Sequence, residues 1–486
     1  MSEFLENYFM SIKKIFFWFL VLLFFVVAPV VVYYAMGYRF SLERGIFVFS
    51  GSVTVKPTPR EIEVYIDDEQ VSTGVVNFLN YSYHMGSLFP GKYTLEVRSN
   101  GYVPWKKEVH VHSGVSTEFW NVFLARENYT QVEYPTENVA DFFISPDGKR
   151  IAMAEDDGSV LKVKILDVQK EEVLYEFPFE GYHLSEDSKE NIEWSPREGR
   201  LIVPAVKDGK KEYFVINIGN EESFSLNKKL QKDDIRKLRW STDDRNTLFY
   251  LENGKLFRLD LDNMNNEVEA AENIVGYDLS GSNIYYLSNE NGIIYRKNIS
   301  GRGDAEQMIS KSIAATGGDN FELIVYDKDR IAVISQDEKL YLYNDGEESQ
   351  GVVELGSGVK GVHFSNDGKK LAFWNNNEIA VYFLRKWETQ PSREEGQKID
   401  IVRFSQPIKN VSWLKDYEHL IFSSGNQIKL VELDNRSMRN INDLVNLDLD
   451  NFRATYTTRD DNLFFVNNKD NVNKLFSISL TEENGE

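Results

Sequence analysis

Two hydrophobic patterns divide the chain. Residues 15–38 are 24 positions without a charge, from Ile15-Phe16-Phe17-Trp18 to Ala35-Met36-Gly37-Tyr38. Beyond them, apolar and polar residues alternate in short runs broken by turn residues. Examples are Ser52-Val53-Thr54-Val55, Glu63-Val64-Tyr65-Ile66-Asp67, Tyr93-Thr94-Leu95-Glu96-Val97 and Glu108-Val109-His110-Val111-His112. A period of two puts successive side chains on opposite faces, so these runs predict half-buried strands. No long amphipathic helix pattern follows the first segment. The expected fold class is all-β behind one N-terminal apolar helix.

As a helix, residues 15–38 would run about 36 Å, enough to cross a hydrocarbon core of about 30 Å. Trp18 at one end and Tyr33, Tyr34 and Tyr38 at the other suit the two interfaces. Pro29 is tolerable in a membrane helix. The rival is a cleaved signal peptide, but the run is too long for an h-region and Tyr33-Tyr34-Ala35-Met36 lacks a small-x-small cleavage pattern. Lys13 and Lys14 precede the span and Arg39 and Arg44 follow it, so the charge bias is weak. The acidic remainder favours a cytoplasmic lead (residues 1–14), a transmembrane helix (15–38) that makes the bilayer a partner, and everything after it outside.

From residue 129 a repeat takes over. Its full form is Phe143-Ile144-Ser145-Pro146-Asp147-Gly148-Lys149-Arg150-Ile151-Ala152-Met153, a strand, a tight turn and a second strand. It returns as Glu193-Trp194-Ser195-Pro196, as Arg239-Trp240-Ser241-Thr242-Asp243-Asp244, and as His363-Phe364-Ser365-Asn366-Asp367-Gly368-Lys369. Units begin near Ala140, Ile192, Leu238, Val275, Leu323, Val362, Val411 and Ala454, a spacing of roughly 40 to 50 residues, within the range of propeller blades. Eight blades are expected, with seven as the alternative if one worn unit is an insertion. The last unit ends at Leu475-Phe476-Ser477-Ile478-Ser479-Leu480 without a fourth strand. Thr130-Gln131-Val132-Glu133-Tyr134 is predicted to supply it and close the ring. The Ser-Pro-Asp-Gly-Lys form resembles the TolB-like and WD40-like (PD40-type) propeller repeat, which implies that loops between second and third strands gather on one face of the ring.

Residues 46–126 hold six or seven short strands, the pattern of a small β-sandwich. Pro59-Arg60-Glu61-Ile62-Glu63-Val64-Tyr65-Ile66-Asp67, Leu88-Phe89-Pro90-Gly91-Lys92-Tyr93-Thr94-Leu95-Glu96-Val97 and Gly101-Tyr102 resemble the PEGA domain. Gly91 after Pro90 is expected at the positive-φ position of a type II turn. The resemblance implies a bacterial or archaeal surface module, appended to another domain and without catalytic residues. The expected domains are therefore a lead (1–14), a helix (15–38), a PEGA-like sandwich (46–126) and a propeller (129–486).

Composition changes this picture in three places. There is no cysteine, which removes thiolate chemistry, disulfides and lipoprotein anchoring. Aromatic content is 13%, which suits strands. Net charge is −21, and because Glu3, Glu6, Lys13 and Lys14 cancel, all of it follows the apolar segment. Such a surface repels phosphate backbones, so no nucleic-acid partner is expected.

Candidate chemistry is sparse. Glu108, His110 and His112 share one strand face, too few ligands for structural zinc. His84, His183, His363 and His419 are scattered, and His363 is expected half-buried in a blade. Gly356-Ser357-Gly358-Val359-Lys360-Gly361 matches G-x-G-x-x-G but leads into a strand, which predicts an inter-blade turn rather than a dinucleotide loop. Arg302-Gly303-Asp304 carries no context, and no G-x-S-x-G elbow is present. Glu155-Asp156-Asp157, Asn289-Glu290-Asn291, Asp337-Glu338 and Asn375-Asn376-Asn377-Glu378 fall in loops between second and third strands. A face so lined suits a cation or a sugar, but turn geometry alone selects Asp and Asn there, and Lys207, Lys210, Lys255 and Lys339 dilute the acidity. No catalytic, cofactor or metal residues are assigned, and no cofactor is expected. The leading expectation is a non-enzymatic, membrane-anchored scaffold of the bacterial cell envelope, binding a protein or a wall or surface glycan. The alternative is a glycan-processing enzyme with carboxylates converging on the propeller axis, and a weaker one is an assembly role like that of TolB.

Overall fold

The computed structural model describes residues 2–71, 74–77, 81–185, 190–197, 199–242, 246–313, 321–347, 351–450 and 452–480; of these, side chains are described outside 2–13 and 74–77. The chain forms two compact units. One holds residues 1–127 with the short segments 389–391 and 434–440, and the other holds the rest.

In the first unit a helix runs Ser2–Ala35. Its Lys14–Ala35 stretch has a mean hydropathy of 3.0 and its side chains are exposed, so it is long and apolar enough to cross a membrane. The helix stops three residues before Tyr38, because Gly37 turns the chain at φ 92°. A hairpin follows, Tyr38–Ser41 against Ile46–Phe49. Residues 46–49, expected in the sandwich, belong to this hairpin instead.

The sandwich begins at Gly51–Thr58. That strand pairs in parallel with Ser116–Phe123 and antiparallel with Ser82–Leu88. The facing sheet contains Glu63–Ile66, Gly91–Arg98 and Trp105–Val111. Val53, Val55, Val64, Leu95, Val97, Trp105, Val109 and Phe119 fill the space between the sheets, which is why these strands alternate in sequence. Gly91 does not take a positive φ. The left-handed residue is Ser87 at φ 64°, and Gly91 opens the next strand. The Tyr93 hydroxyl donates to the Phe89 carbonyl at 2.8 Å and closes the turn from the far side.

Among the described residues the second unit contains eight antiparallel blades, seven of four strands and the second of five. Their first strands are Val139–Ile144, Glu193–Trp194, Arg236–Trp240, Ile274–Ser280, Glu322–Asp327, Gly361–Phe364, Ile408–Trp413 and Ala454–Thr457. In the second blade the first-strand position is shared with His183–Leu184, which pairs with the same neighbour, Arg200–Lys207. First strands of consecutive blades approach one another, so they form the inner ring. Second strands such as Arg150–Asp156 and His419–Ser424 are covered on both faces and read as continuous apolar runs rather than alternating ones. The core lies between blades: Ala152, Val163 and Ile165 of the first pack with Leu201, Val203 and Phe214 of the second.

The ring closes as the unpaired strand predicted. Val132 and Glu133 pair with Ser477 and Phe476, completing the last blade. The Tyr134 amide donates to the Leu475 carbonyl at 3.0 Å, and the Leu475 amide to Thr136 Oγ1 at 2.9 Å. Lys474 Nζ lies 2.6 Å from Glu133.

The repeated sequence form has a structural cause. The Ser145 hydroxyl donates to Asp147 at 2.7 Å, Asp147 accepts the Lys149 amide at 2.9 Å, and the Arg150 amide donates back to Ser145 Oγ at 3.0 Å. Gly148 takes φ 73°. Ser365, Asp367, Gly368 and Lys370 repeat this geometry. Ser, Asp and Gly are therefore turn chemistry, with each side chain satisfying backbone amides that the tight reversal leaves unpaired.

The aromatic residue before that turn ties blades together. Trp194 Nε1 donates to the Phe143 carbonyl of the preceding blade at 2.9 Å, Trp240 Nε1 to the Glu193 carbonyl at 3.1 Å, and Trp413 Nε1 to the His363 carbonyl at 2.9 Å. Each substitution W194F, W240F or W413F removes one such bond and strands a carbonyl, at a cost of about 1 to 2 kcal/mol. Thermal unfolding of the purified chain should show a lower Tm for each variant. An unchanged Tm in all three would mean that these bonds do not couple the blades.

Candidate functional site

The residue just before the motif aromatic occupies one equivalent place per blade: Phe143, Glu193, Arg239, Asp278, Val325, His363, Ser412 and Thr455. Between the second and fifth blades this position becomes a charged chain. Arg239 Nε donates to Glu193 at 2.9 Å, and Arg239 Nη1 to Asp278 at 3.2 Å. The other Glu193 oxygen accepts the Trp240 amide at 3.3 Å. Asp278 also accepts the Leu279 amide at 2.9 Å and, from the next blade, the Val325 amide at 2.8 Å.

A second layer backs this chain. Glu190 accepts from the Lys237 amide at 3.1 Å, from Lys211 Nζ at 3.2 Å and from the Tyr213 hydroxyl. Lys237 Nζ reaches the Phe321 carbonyl at 2.5 Å and the Val275 carbonyl at 3.2 Å. The Tyr277 hydroxyl lies 2.5 Å from the Lys237 carbonyl and 3.0 Å from that of Phe249. Together these groups line a recess of about 400 Å³.

Water reaches the recess, and the Arg239 side chain is 45% exposed. The surrounding blades nevertheless desolvate it. Burial raises the Glu193 carboxyl above its ordinary value although Arg239 opposes the shift, and burial holds the Tyr277 phenol well above its own. Glu193 beside Arg239 raises the guanidinium, which stays charged. The carboxylates of Glu193 and Asp278 thus share one cation and bind backbone amides of the next blade. Composition and motif scanning miss this arrangement. The signal was the register of the repeat, with charges of alternating sign before Trp194, Trp240 and Leu279.

The Asp- and Asn-rich loops do meet the connections between blades. The Asp156 amide donates to the Asn138 carbonyl at 3.3 Å, Asn289 to Asn273 at 2.7 Å, Val359 to Glu338 at 2.8 Å and Ile408 to Asn376 at 2.8 Å. Asn375 and Asp157 are engaged in the turns themselves, whereas Asp156 reaches His183 and Glu338 reaches Lys360. Asn375 Oδ1 accepts the Asn377 and Glu378 amides, each at 2.8 Å. Asp157 accepts from the Ser159 hydroxyl and from the amides of Ser159 and Val160, and these bonds lower its carboxyl to about 2. Among the described residues no group of three or more His, Asp or Glu side chains is arranged to hold a metal ion.

The histidines divide by environment. Glu108, His110 and His112 share the exposed face of their strand, and Glu108 pairs with Lys92 at 2.6 Å. His84 Nδ1 lies 3.0 Å from Thr54 Oγ1, and His183 Nδ1 lies 3.1 Å from Asp156. His363, expected half-buried, is exposed instead, because its inner-strand position opens to solvent, while the neighbouring strands still push its pKa down. Gly356 ends one strand and Gly361 begins the first strand of the next blade, so the glycine motif is an inter-blade turn. Arg302-Gly303-Asp304 connects two strands of the fourth blade.

His419 is 2% exposed and holds Asp416 at 2.6 Å through Nδ1. Lys370, fully buried, donates to Glu418 at 2.5 Å and to the Tyr417 carbonyl at 2.8 Å, and lies 3.5 Å from the centre of the Trp387 ring. Glu432 is buried beside them. The acidic neighbours, Asp416 foremost, raise the His419 imidazole despite its burial, and His419 lowers Asp416.

No family model and no curated protein matches the chain. Solved structures similar to it include the Dos1 propeller, at 13% identity and a TM-score of 0.49 over 72% of this chain and 95% of that one. A eukaryotic initiation factor aligns at 15% identity and a TM-score of 0.47 over 74% and 91%. Hsv2 of Kluyveromyces lactis aligns at 12% identity and a TM-score of 0.40 over 63% and 98%. These likenesses concern the fold alone, and the blade count follows from the strand pairing.

The His419–Asp416 pair has a defined pH signature. Because the folded imidazole titrates above its unfolded value of about 6.5, its stabilisation is complete below that pH and is lost as pH rises through the folded value. The Tm gap between the native chain and H419Q should be widest near pH 6 and shrink toward pH 9. A gap constant across that window would show that His419 does not titrate in this way.

Proposed function

We propose that the chain is an integral scaffold protein of a bacterial cell envelope. Residues 15–38 anchor it, the N-terminus faces the cytoplasm, and the PEGA-like sandwich and propeller stand outside. The propeller offers a rigid face to an envelope protein or to a wall or surface glycan. One observation carries this reading. The charged groups lining the axial recess are engaged within the ring, so they maintain its shape. Glu193 and Asp278, the carboxylates an axial glycan-processing site would use, share Arg239 and bind backbone amides. That arrangement favours binding over catalysis. An uncleaved anchor is favoured by the helix end: Arg39 donates to the Tyr34 carbonyl at 2.8 Å and to Ser87 of the sandwich at 2.8 Å, joining the last helical turn to the domain after it.

The absence of cysteine makes orientation directly readable. In intact cells a membrane-impermeant maleimide should label the full chain carrying Asp400→Cys, at a side chain 90% exposed. It should label Glu6→Cys only after permeabilisation, and the opposite pattern would reverse the topology. Residues 39–486 should cosediment with envelope fragments. Retention after exhaustive protease treatment of the fragments identifies a glycan partner, and retention only on untreated fragments identifies a protein. Retention on neither overturns the scaffold reading.

A further inference from the structure

The hairpin after the helix carries an aromatic face that its own unit covers only in part. Its register sets Tyr38 opposite Phe49 and Phe40 opposite Phe47, so all four rings project from one face. On that face Phe40 is 41% exposed, Phe49 40% and Phe47 36%, and Leu42 at the turn is 90% exposed. A contiguous apolar patch of this kind marks an interaction surface.

The helix fixes its depth. Lys14–Ala35 is 22 residues, about 33 Å as a helix, against a hydrocarbon core of about 30 Å. Its last turn therefore lies at the boundary between core and headgroups. Phe47 stacks on Tyr33 of that turn, with ring centres 5.5 Å apart and planes inclined by 26°. It also meets Tyr34 edge-on at 6.3 Å. Tyr38 packs on Tyr33 at 5.2 Å and on Phe49 at 5.0 Å, and Phe40 on Phe47 at 5.3 Å. A strand whose phenylalanine stacks on a residue of the span runs at the depth of that residue rather than away from it.

The local charge agrees. Residues 38–49 carry Arg39, Arg44 and Glu43, a sum of +1, in a chain whose net charge is −21. Arg39 sits over the Tyr34 ring at 5.0 Å while its guanidinium donates to the Tyr34 carbonyl of the last helical turn and to the Tyr38 carbonyl, placing a cation where lipid phosphates lie.

We propose that residues 38–49 form a membrane-interface hairpin, seated by its aromatic face in the headgroup layer of the leaflet where the helix emerges. Its partner is the phospholipid surface, and the hairpin sets how the following domain leaves the bilayer. The inference rests on the helix being a membrane anchor, and the test separates the two.

The full chain is reconstituted into vesicles of phosphatidylcholine and phosphatidylglycerol, with a single environment-sensitive fluorophore on Leu42→Cys, Phe25→Cys or Asp400→Cys. All three side chains are exposed, so labelling leaves the packing intact. Lipids carrying a nitroxide near the headgroup or deep in the acyl chain serve as quenchers. The Leu42 label should lose emission with the shallow quencher more than with the deep one, the Phe25 label should show the reverse order, and the Asp400 label should lose none. Deep quenching at Phe25 with a Leu42 label as unquenched as that at Asp400 overturns the hairpin proposal and leaves the anchor standing. An unquenched Phe25 label overturns the anchor reading and the hairpin proposal with it. Because the vesicles contain only lipid, quenching at Leu42 excludes a second protein as the required occupant.

Discussion

The structure depends on how the inner strands of neighbouring blades are held together. A β-blade is apolar on both faces and cannot stand alone, so each must meet the next at a fixed angle. Two devices at adjacent positions do this. The motif tryptophans send an N–H to the carbonyl of the previous blade, and the residues just before them form the chain Glu193, Arg239, Asp278 and the Val325 amide. Apolar clusters between blades supply adhesion, while these directional bonds set the register in which adhesion occurs.

That division gives Glu193 and Asp278 a structural role. Buried carboxylates attract attention as acids and bases, but a carboxylate that accepts a guanidinium and a neighbouring backbone amide acts as a clamp. Lys370 with Glu418 joins two further blades, while His419 holds Asp416 within its own turn. Such pairs are expensive to desolvate and costly to break singly, so they define one geometry more than they add stability.

Much of this architecture was legible in the sequence because turns and period-two alternation are local. Ser145-Pro146-Asp147-Gly148 announces its turn through hydrogen bonds within six residues, and all eight blade starts follow from it. The strand at Val132 was predictable from a count: one blade lacked a fourth strand and one strand lacked a blade. The charged chain was not legible in the same way. Glu193 and Arg239 lie 46 residues apart, and only superposing the repeats shows that they share a position. Gly91 misled because Pro-Gly has more than one turn solution, and here Ser87 takes the left-handed conformation. The aromatic hairpin was hidden because Phe40, Phe47 and Phe49 become one surface only when paired. Read singly, Phe47 and Phe49 fell within the expected sandwich and Phe40 before it.

Ring closure also has a consequence for how the protein is made. Tyr134 and its partner Ser477 are 343 residues apart. The strand that completes the last blade is synthesised before any of the blades it locks. During synthesis that strand is complete while every blade is still to come, its ladder groups unpaired until the final hairpin arrives. Chains stalled or shortened before residue 476 retain a half-built blade and an open edge, so the seam that seals the mature ring also discriminates between finished and unfinished copies.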